Sequence, residues 1–430
     1  MNAGLSTKNA PSPKVVLPHY VYGAFAFLTA AIMMFFASGE MAITTLSPKI
    51  LAVVHLLILG WITMIIFGAL YQLLPVVMEV KLFSETLAII SFILLAVGTP
   101  LMVFSFWTAF IGPTVSIMAG GTAVILSAII FAINTLLTAR KSPVKTIENR
   151  FIITSVIYLL ITIFIGIFII IKPAILGQNF LQIHIHFGII GWFMMLVAGV
   201  ASVLLPMFFI AHNLQKKYLH AAYFLINGGL IAYSTAMFFK AHDVVIFLTA
   251  AIIISGFFLF IRYNFDAYKA RLRKKLDIGM KHTVMAFVLL MITLIAALLS
   301  ATGDLLPVKF ATKMNLIYGL ALIPGFLTAI ILGQMYKTLP FIVWLKKYQD
   351  KVGKFKTPLP ADLHSEKAAQ VHYYSYLVAI VAFVFAALFS QKILMQIGSV
   401  FLVITAALYA FNTVKIVLHK ENIQPLNFKK

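Results

Sequence analysis

The stretch HLLILGWITMIIFGALYQLLP, His55 to Pro75, returns 131 residues later as HFGIIGWFMMLVAGVASVLLP, His186 to Pro206. It returns again 265 residues after the first copy as LALIPGFLTAIILGQMYKTLP, Leu320 to Pro340. The first copy shares 9 of 21 positions with the second and 10 with the third, with no gap inside any copy. Gly60, Gly191 and Gly325 align, as do Gly68, Gly199 and Gly333, and Pro75, Pro206 and Pro340. Apolar helices resemble one another through composition alone, but three ungapped columns of Gly and Pro indicate a threefold internal repeat of roughly 130 residues.

The surroundings set the class. Of the 430 residues 62% are hydrophobic and 10% charged. A soluble domain holds closer to half apolar and a quarter charged residues, so the chain reads as an all-α integral membrane protein. Cysteine is absent, which excludes disulfides, thiolate metal sites and covalent CxxCH haem attachment. The apolar run from Tyr20 follows a polar stretch with no cleavage pattern and reads as a first spanning helix kept in place. Twelve spans are predicted, at roughly 20–38, 50–77, 83–108, 114–137, 151–172, 180–209, 217–239, 243–262, 282–301, 314–337, 371–390 and 393–417. Most carry 19 or more mainly apolar residues, enough for a ~30 Å hydrocarbon core at about 1.5 Å per residue. Twelve spans over three repeats give four helices per unit, at about 18–137, 150–262 and 281–417, within a single membrane domain 1–430. The repeated motif then falls on the second, sixth and tenth spans.

Charge orients the chain. With the N-terminus on the cytoplasmic side, 27 of the 33 Lys and Arg residues fall inside and 6 fall outside. That bias predicts an inner (plasma) membrane protein with both termini cytoplasmic. The formal charge of +21 is then topogenic and lipid-facing, with RLRKK at 271–275 as its densest run, and no nucleic-acid partner is expected. The one long connection, a cytoplasmic loop at 338–370, holds Pro358 and Pro360.

One column of the repeat carries chemistry. Its first position is His55, then His186, then Leu320. A histidine inside an apolar span is costly without a partner, and neutral imidazole is a common ligand of metals and of haem iron. His55 and His186 are therefore the candidate cofactor and metal ligands, near the outer ends of their spans. His184, two residues nearer the outside, is the third candidate. His184 and His186 stand about 200° apart on a regular helix and cannot both face one metal there, and the repeat register favours His186. Gly60, Met64 and Gly68 form a stripe at i, i+4 and i+8, repeated at Gly191, Met195 and Gly199, that suits close helix packing. The remaining histidines lie in a short outer loop (His242) or on the cytoplasmic side (His19, His212, His220, His282, His364, His372 and His419), and are expected to be away from the site. All twelve Asp and Glu map to loops, tails or helix ends, which disfavours a carboxylate proton relay at mid-membrane.

Twelve spans in three groups of four, with candidate ligands on the second and sixth and the form H-x4-G-W-x6-G-x4-L-L-P, resemble the catalytic subunit I of the haem–copper oxidase superfamily. That superfamily includes oxygen-reducing oxidases and nitric oxide reductases. The resemblance implies haem, and with it copper, in respiratory electron transfer or in binding or reduction of a small gas, beside a cytochrome or other respiratory subunit in the lipid bilayer. His55 matches the family's low-spin haem ligand on the second helix, and His186 or His184 its copper ligand on the sixth. The tenth span departs from the pattern, because Leu320 stands where the family places histidine. The seventh has only His220, at the opposite end, in place of an adjacent histidine pair, and no tyrosine follows four residues after His184 or His186. A complete haem–copper centre cannot be assembled from these residues. The alternative expectation is a non-redox transporter or metal-handling accessory protein on the same frame.

Overall fold

The computed structural model describes residues 9–109, 114–302, 307–421 and 423–425. Lys8, Lys429 and Lys430, counted among the 27 inner basic residues, and Asp304, counted among the twelve acids, lie outside these. Twelve described helices are long and apolar enough to cross a membrane. They are α1 (Pro13–Met41), α2 (Pro48–Val77), α3 (Glu85–Trp107), α4 (Val115–Arg140), α5 (Ile147–Ile171) and α6 (Asn179–Phe209). α7 (Lys217–Phe238), α8 (Asp243–Lys269), α9 (Ile278–Ser300), α10 (Val308–Lys351), α11 (Glu366–Phe389) and α12 (Lys392–Val417) complete the set. The architecture is an all-α membrane bundle whose twelve spans match those predicted from hydropathy. Helix starts are set by short polar side chains: Ser47, Ser84, Thr146, Asp277 and Ser365 each accept a bond from the backbone N–H three residues on.

The largest difference from the sequence expectation is in α10. The loop predicted at 338–370 is helical as far as Tyr348, because the helix continues through Pro340. Proline removes one backbone donor, but Ile342, Val343 and Tyr348 remain buried against the bundle and hold the helix on course. The rest of the segment is tied down. Trp344 Nε1 donates to the Pro358 carbonyl at 2.6 Å, and Phe355–Lys356 pairs antiparallel with Gln424–Pro425 near the C-terminus.

The three helices carrying the motif form the interior. The apolar windows of α2, α6 and α10 are 72%, 78% and 89% buried, whereas the other nine range from 28% to 50%. Around them the same pairing appears in each run of four. The first helix packs on the second, the third on the fourth, and the fourth on the first of the next run, with α12 closing onto α1. Outward-facing Phe36, Phe104, Phe224 and Ile295 are exposed, as expected where lipid is the solvent.

Each motif copy also contains a π-helical segment: Leu56–Thr63 in α2, Phe187–Met194 in α6 and Ala321–Leu327 in α10. Each begins at the residue after the motif's first position. The backbone N–H groups of Met64, Met195 and Thr328 reach back five residues, to Leu59, Ile190 and Ile323. The wider turn adds a residue to the helix and re-aims the side chains on either side of it, which is why such segments concentrate at functional positions. In α10, Pro324 inside the segment has no N–H to give. The single hydroxyl proton of Tyr376 in α11 is shared between the carbonyls of Pro324 and Gly325, each 2.6 Å from Oη.

Candidate functional site

The second glycine of each motif sets how closely its helix meets the first helix of the same group. A Cβ on Gly68 would lie 2.6 Å from His19 Cβ and 3.3 Å from the Val16 carbonyl oxygen. On Gly199 it would lie 2.9 Å from both Phe151 Cβ and the Glu148 carbonyl, and on Gly333 2.9 Å from His282 Cβ and 2.6 Å from the Gly279 carbonyl. In all three, a carbonyl and the Cβ three residues later grip the glycine. Only hydrogen fits such a contact.

The outer histidines sit where α2 and α6 turn from α- to π-helix, and their rings share one anchoring scheme. His55 Nδ1 lies 2.8 Å from the Leu51 carbonyl and His186 Nδ1 2.8 Å from the Gln182 carbonyl, four residues back in each helix. His184 Nδ1 lies 2.9 Å from the Thr162 carbonyl of α5. A carbonyl accepts only, so Nδ1 carries the proton in each ring and Nε2 keeps its lone pair. This is the tautomer that a second-shell carbonyl imposes on a metal-ligating imidazole.

The three rings do not converge on one point. His184 and His186 diverge, as their angular separation requires. His184 lies over Gly166 of α5, where an added Cβ would come within 2.9 Å of its Cε1. His186 turns to α7 and packs on Tyr233, ring centroids 4.6 Å apart. The His55 ring lies 4.8 Å from Phe106 of α3. The repeat register favours His186 as the partner of His55, whereas His184 is the one anchored across helices, on the Thr162 carbonyl of α5. Among the described residues no group of three or more His, Cys, Asp or Glu is placed to hold a metal ion.

Between α2 and α10 the interior is closed by aromatic packing. Trp61 stacks on Phe27 at 4.7 Å, meets Tyr409 edge-on at 5.0 Å, and donates from Nε1 to Thr328 Oγ1 of α10 at 3.4 Å. Phe67 stacks on Phe131 at 3.6 Å, and both rings meet Trp192 of α6 edge-on.

A second set of histidines is not singled out by sequence reasoning. His19, His282 and His372 are fully buried in the half of the bundle nearer the termini. Neither ring nitrogen of His19 or His282 has a hydrogen-bond partner among the described residues, nor has Nε2 of His372. Each such orphan in a dry core costs about 1–3 kcal/mol. His19, Phe151 and His282 occupy equivalent places against the second motif glycine. Spacings of 132 and 263 residues from His19, close to the motif's own, are the sequence signal that marks them.

No family model matches this sequence, and no curated protein matches it by sequence. In three dimensions the chain is similar to a haem–copper terminal oxidase whose dimer was determined by cryo-EM. The TM-score is 0.70 at 11% identity, over 97% of this chain and 87% of that one. The two proteins share a fold. Tested against the groups that fold implies, the imidazoles of His55 and His184, with Nδ1 held by a carbonyl, have the donor chemistry of haem-iron ligands. A copper centre built from three or more protein ligands does not fit the described residues.

Proposed function

We propose that this multi-pass membrane protein binds haem near the outer ends of α2 and α6, in electron transfer or binding of a small gas. The observation that carries this reading is the anchoring of His55 and His184: two imidazoles on different helices, each held through Nδ1 by a backbone carbonyl, which leaves Nε2 as the nitrogen able to ligate. A bound haem held by both imidazoles would supply a one-electron couple, whereas one held by a single imidazole would leave its iron able to take a gas ligand. The chain's part is to hold both rings in one tautomer and to keep water away with the apolar walls of the spans. Among the imidazoles, His55 and His184 would hold the iron, while His186, packed on Tyr233, would line the site as a candidate ligand of lower rank. The three groups of four helices act as repeats of one unit, the third of which has lost the histidine. The protein lies in the cell inner membrane with both termini cytoplasmic, beside a respiratory subunit that supplies electrons.

One observation favours a second reading. Trp61, Phe27, Tyr409 and Thr328 fill the space between α2 and α10, which suits a non-redox transporter or metal-handling protein on the same fold. The reduced-minus-oxidised visible spectrum of detergent-purified protein, expressed with haem supplied, separates the two. Sharp reduced bands in the parent that are lost in His55→Ala and His184→Ala and retained in His186→Ala support the first reading. A featureless spectrum with no iron by elemental analysis refutes it.

A further inference from the structure

The buried histidine pair of α9 and α11 stands apart from the outer site. His282 and His372 are both fully buried, with ring centroids 4.9 Å apart. Both nitrogens of His282 and Nε2 of His372 are without a partner among the described residues, and the remaining nitrogen, His372 Nδ1, stands 3.5 Å from Tyr336 Oη, the outer limit of a hydrogen bond. Buried polar groups in folded proteins are almost always satisfied, by protein or by ordered solvent. A polar contact as long as this one is where a bridging water belongs.

The neighbours arrange these groups in a line. At the terminal face, the ring of half-buried His364 packs on Tyr336 at 5.0 Å, and Asn412 of α12 donates to Tyr336 Oη at 3.2 Å. Tyr336 leads to His372, and His372 to His282. The His282 ring lies 5.8 Å from that of Tyr376, whose hydroxyl bonds the π-segment carbonyls of α10. From Tyr336 back to Gly325 is eleven residues of α10, about 16 Å at 1.5 Å per residue, or roughly half of a hydrocarbon core. Every member of the line is a hydroxyl or an imidazole, able to donate and accept at once.

Charge decides what occupies the gaps. A metal ion would bring positive charge into a core with no free carboxylate beside it: Asp277, at the start of α9, is already paired with Lys337 and Arg273. Rings around the pair, Tyr373 on His282 and Tyr409 near His372, are neutral phenols. Neutral water needs no counter-charge and requires two to four polar partners, which the orphaned nitrogens and hydroxyls supply.

We propose that His364, Tyr336, His372 and His282 hold a chain of ordered waters that exchanges protons between the terminal face and the centre of the α9–α12 group. Neutral imidazole relays a proton by accepting at one nitrogen and releasing from the other, so no bond to carbon changes and no charge is left behind. The water chain does not depend on bound haem.

The test is water-edited solid-state NMR on full-length protein, ¹⁵N-labelled at histidine, in lipid vesicles, with His282→Phe and His372→Phe used for assignment. The expected result is transfer from water to the His282 and His372 nitrogens within about twofold of that to His364. In Tyr336→Phe, which keeps the ring and removes only the hydroxyl, the His372 and His282 signals fall several-fold while that of His364 persists. Dry His282 and His372 in the parent overturn the proposal on that measurement alone, whatever the variants do. Unchanged signals in a folded Tyr336→Phe overturn the route and the relay with it.

Discussion

Gly333→Ala tests the packing that holds both histidine levels in place. A Cβ at this position would lie 2.6 Å from the Gly279 carbonyl oxygen, where ordinary contact begins at 3.4 Å. The obstacle is backbone, so no rotamer change relieves it, and α9 and α10 must separate by roughly 0.8 Å near His282. Overpacking of this kind costs about 1–3 kcal/mol. Replacing glycine in a helix by alanine also returns about 1 kcal/mol of propensity. Gly319→Ala isolates that second term, because it lies in the same helix and a Cβ there meets nothing within 4 Å. The difference between the two variants is therefore the overpacking term, about 1–3 kcal/mol, or roughly 5- to 150-fold in the unfolding equilibrium. Equilibrium unfolding in mixed micelles of rising SDS content, followed by tryptophan fluorescence, measures it. Gly319→Ala should equal or exceed the parent, and Gly333→Ala should fall below Gly319→Ala and lie at or below the parent. If Gly333→Ala were as stable as Gly319→Ala, the close α9–α10 contact would be refuted.

Three other perturbations probe the remaining contacts. Thr328→Val keeps the side-chain shape but removes the acceptor of Trp61 Nε1, leaving that N–H buried without a partner and costing about 1–3 kcal/mol in the same unfolding assay, while the Ile323 carbonyl keeps its bond from the backbone N–H of residue 328; an unchanged midpoint would remove the α2–α10 link from the account. Gly166→Ala pushes a methyl toward His184 and should shift the reduced bands without abolishing them, whereas a parent-like spectrum would exclude His184 as a ligand. The terminal-face connection should loosen with acid. His364 and His419 are held below the ordinary histidine value, chiefly by burial and then by nearby Lys415 for the first and Lys347 and Lys415 for the second. A depressed histidine means that the folded form binds fewer protons than the unfolded one. Its stabilising contribution is thus present above about pH 6.5 and lost as pH falls below it. Since His419 also meets Tyr348 Oη at 2.8 Å, hydrogen exchange at 349–364 and near 419 should quicken between pH 7.5 and 5.5; equal rates would contradict this.

Much of the fold is legible in the sequence because membrane insertion is a local property. Twenty apolar residues span a bilayer whatever their neighbours do, so hydropathy is enough to count the spans. The ungapped Gly and Pro columns pick out α2, α6 and α10, which are the three most buried helices. The end of α10 is not legible in this way, because Pro340 reads locally as a breaker and only tertiary burial carries the helix past it. The π segments leave no local mark apart from Pro324, since a widened turn depends on bonds between residues five apart.

The candidate site divides along the same line. By itself the sequence singled out His55, His184 and His186, from the cost of imidazole in an apolar span and from the register of the repeat. It also determined that His184 and His186 diverge, because helical geometry fixes the angle between i and i+2. Only the tertiary structure decided what each of them packs on, His184 against Gly166 of α5 and His186 against Tyr233 of α7, because that depends on how whole helices meet. It alone joined His282 to His372 across 90 residues of chain. Periodicity places a side chain on a face of its helix, whereas contact between faces is settled by close packing of whole helices, at distances that no local spacing encodes.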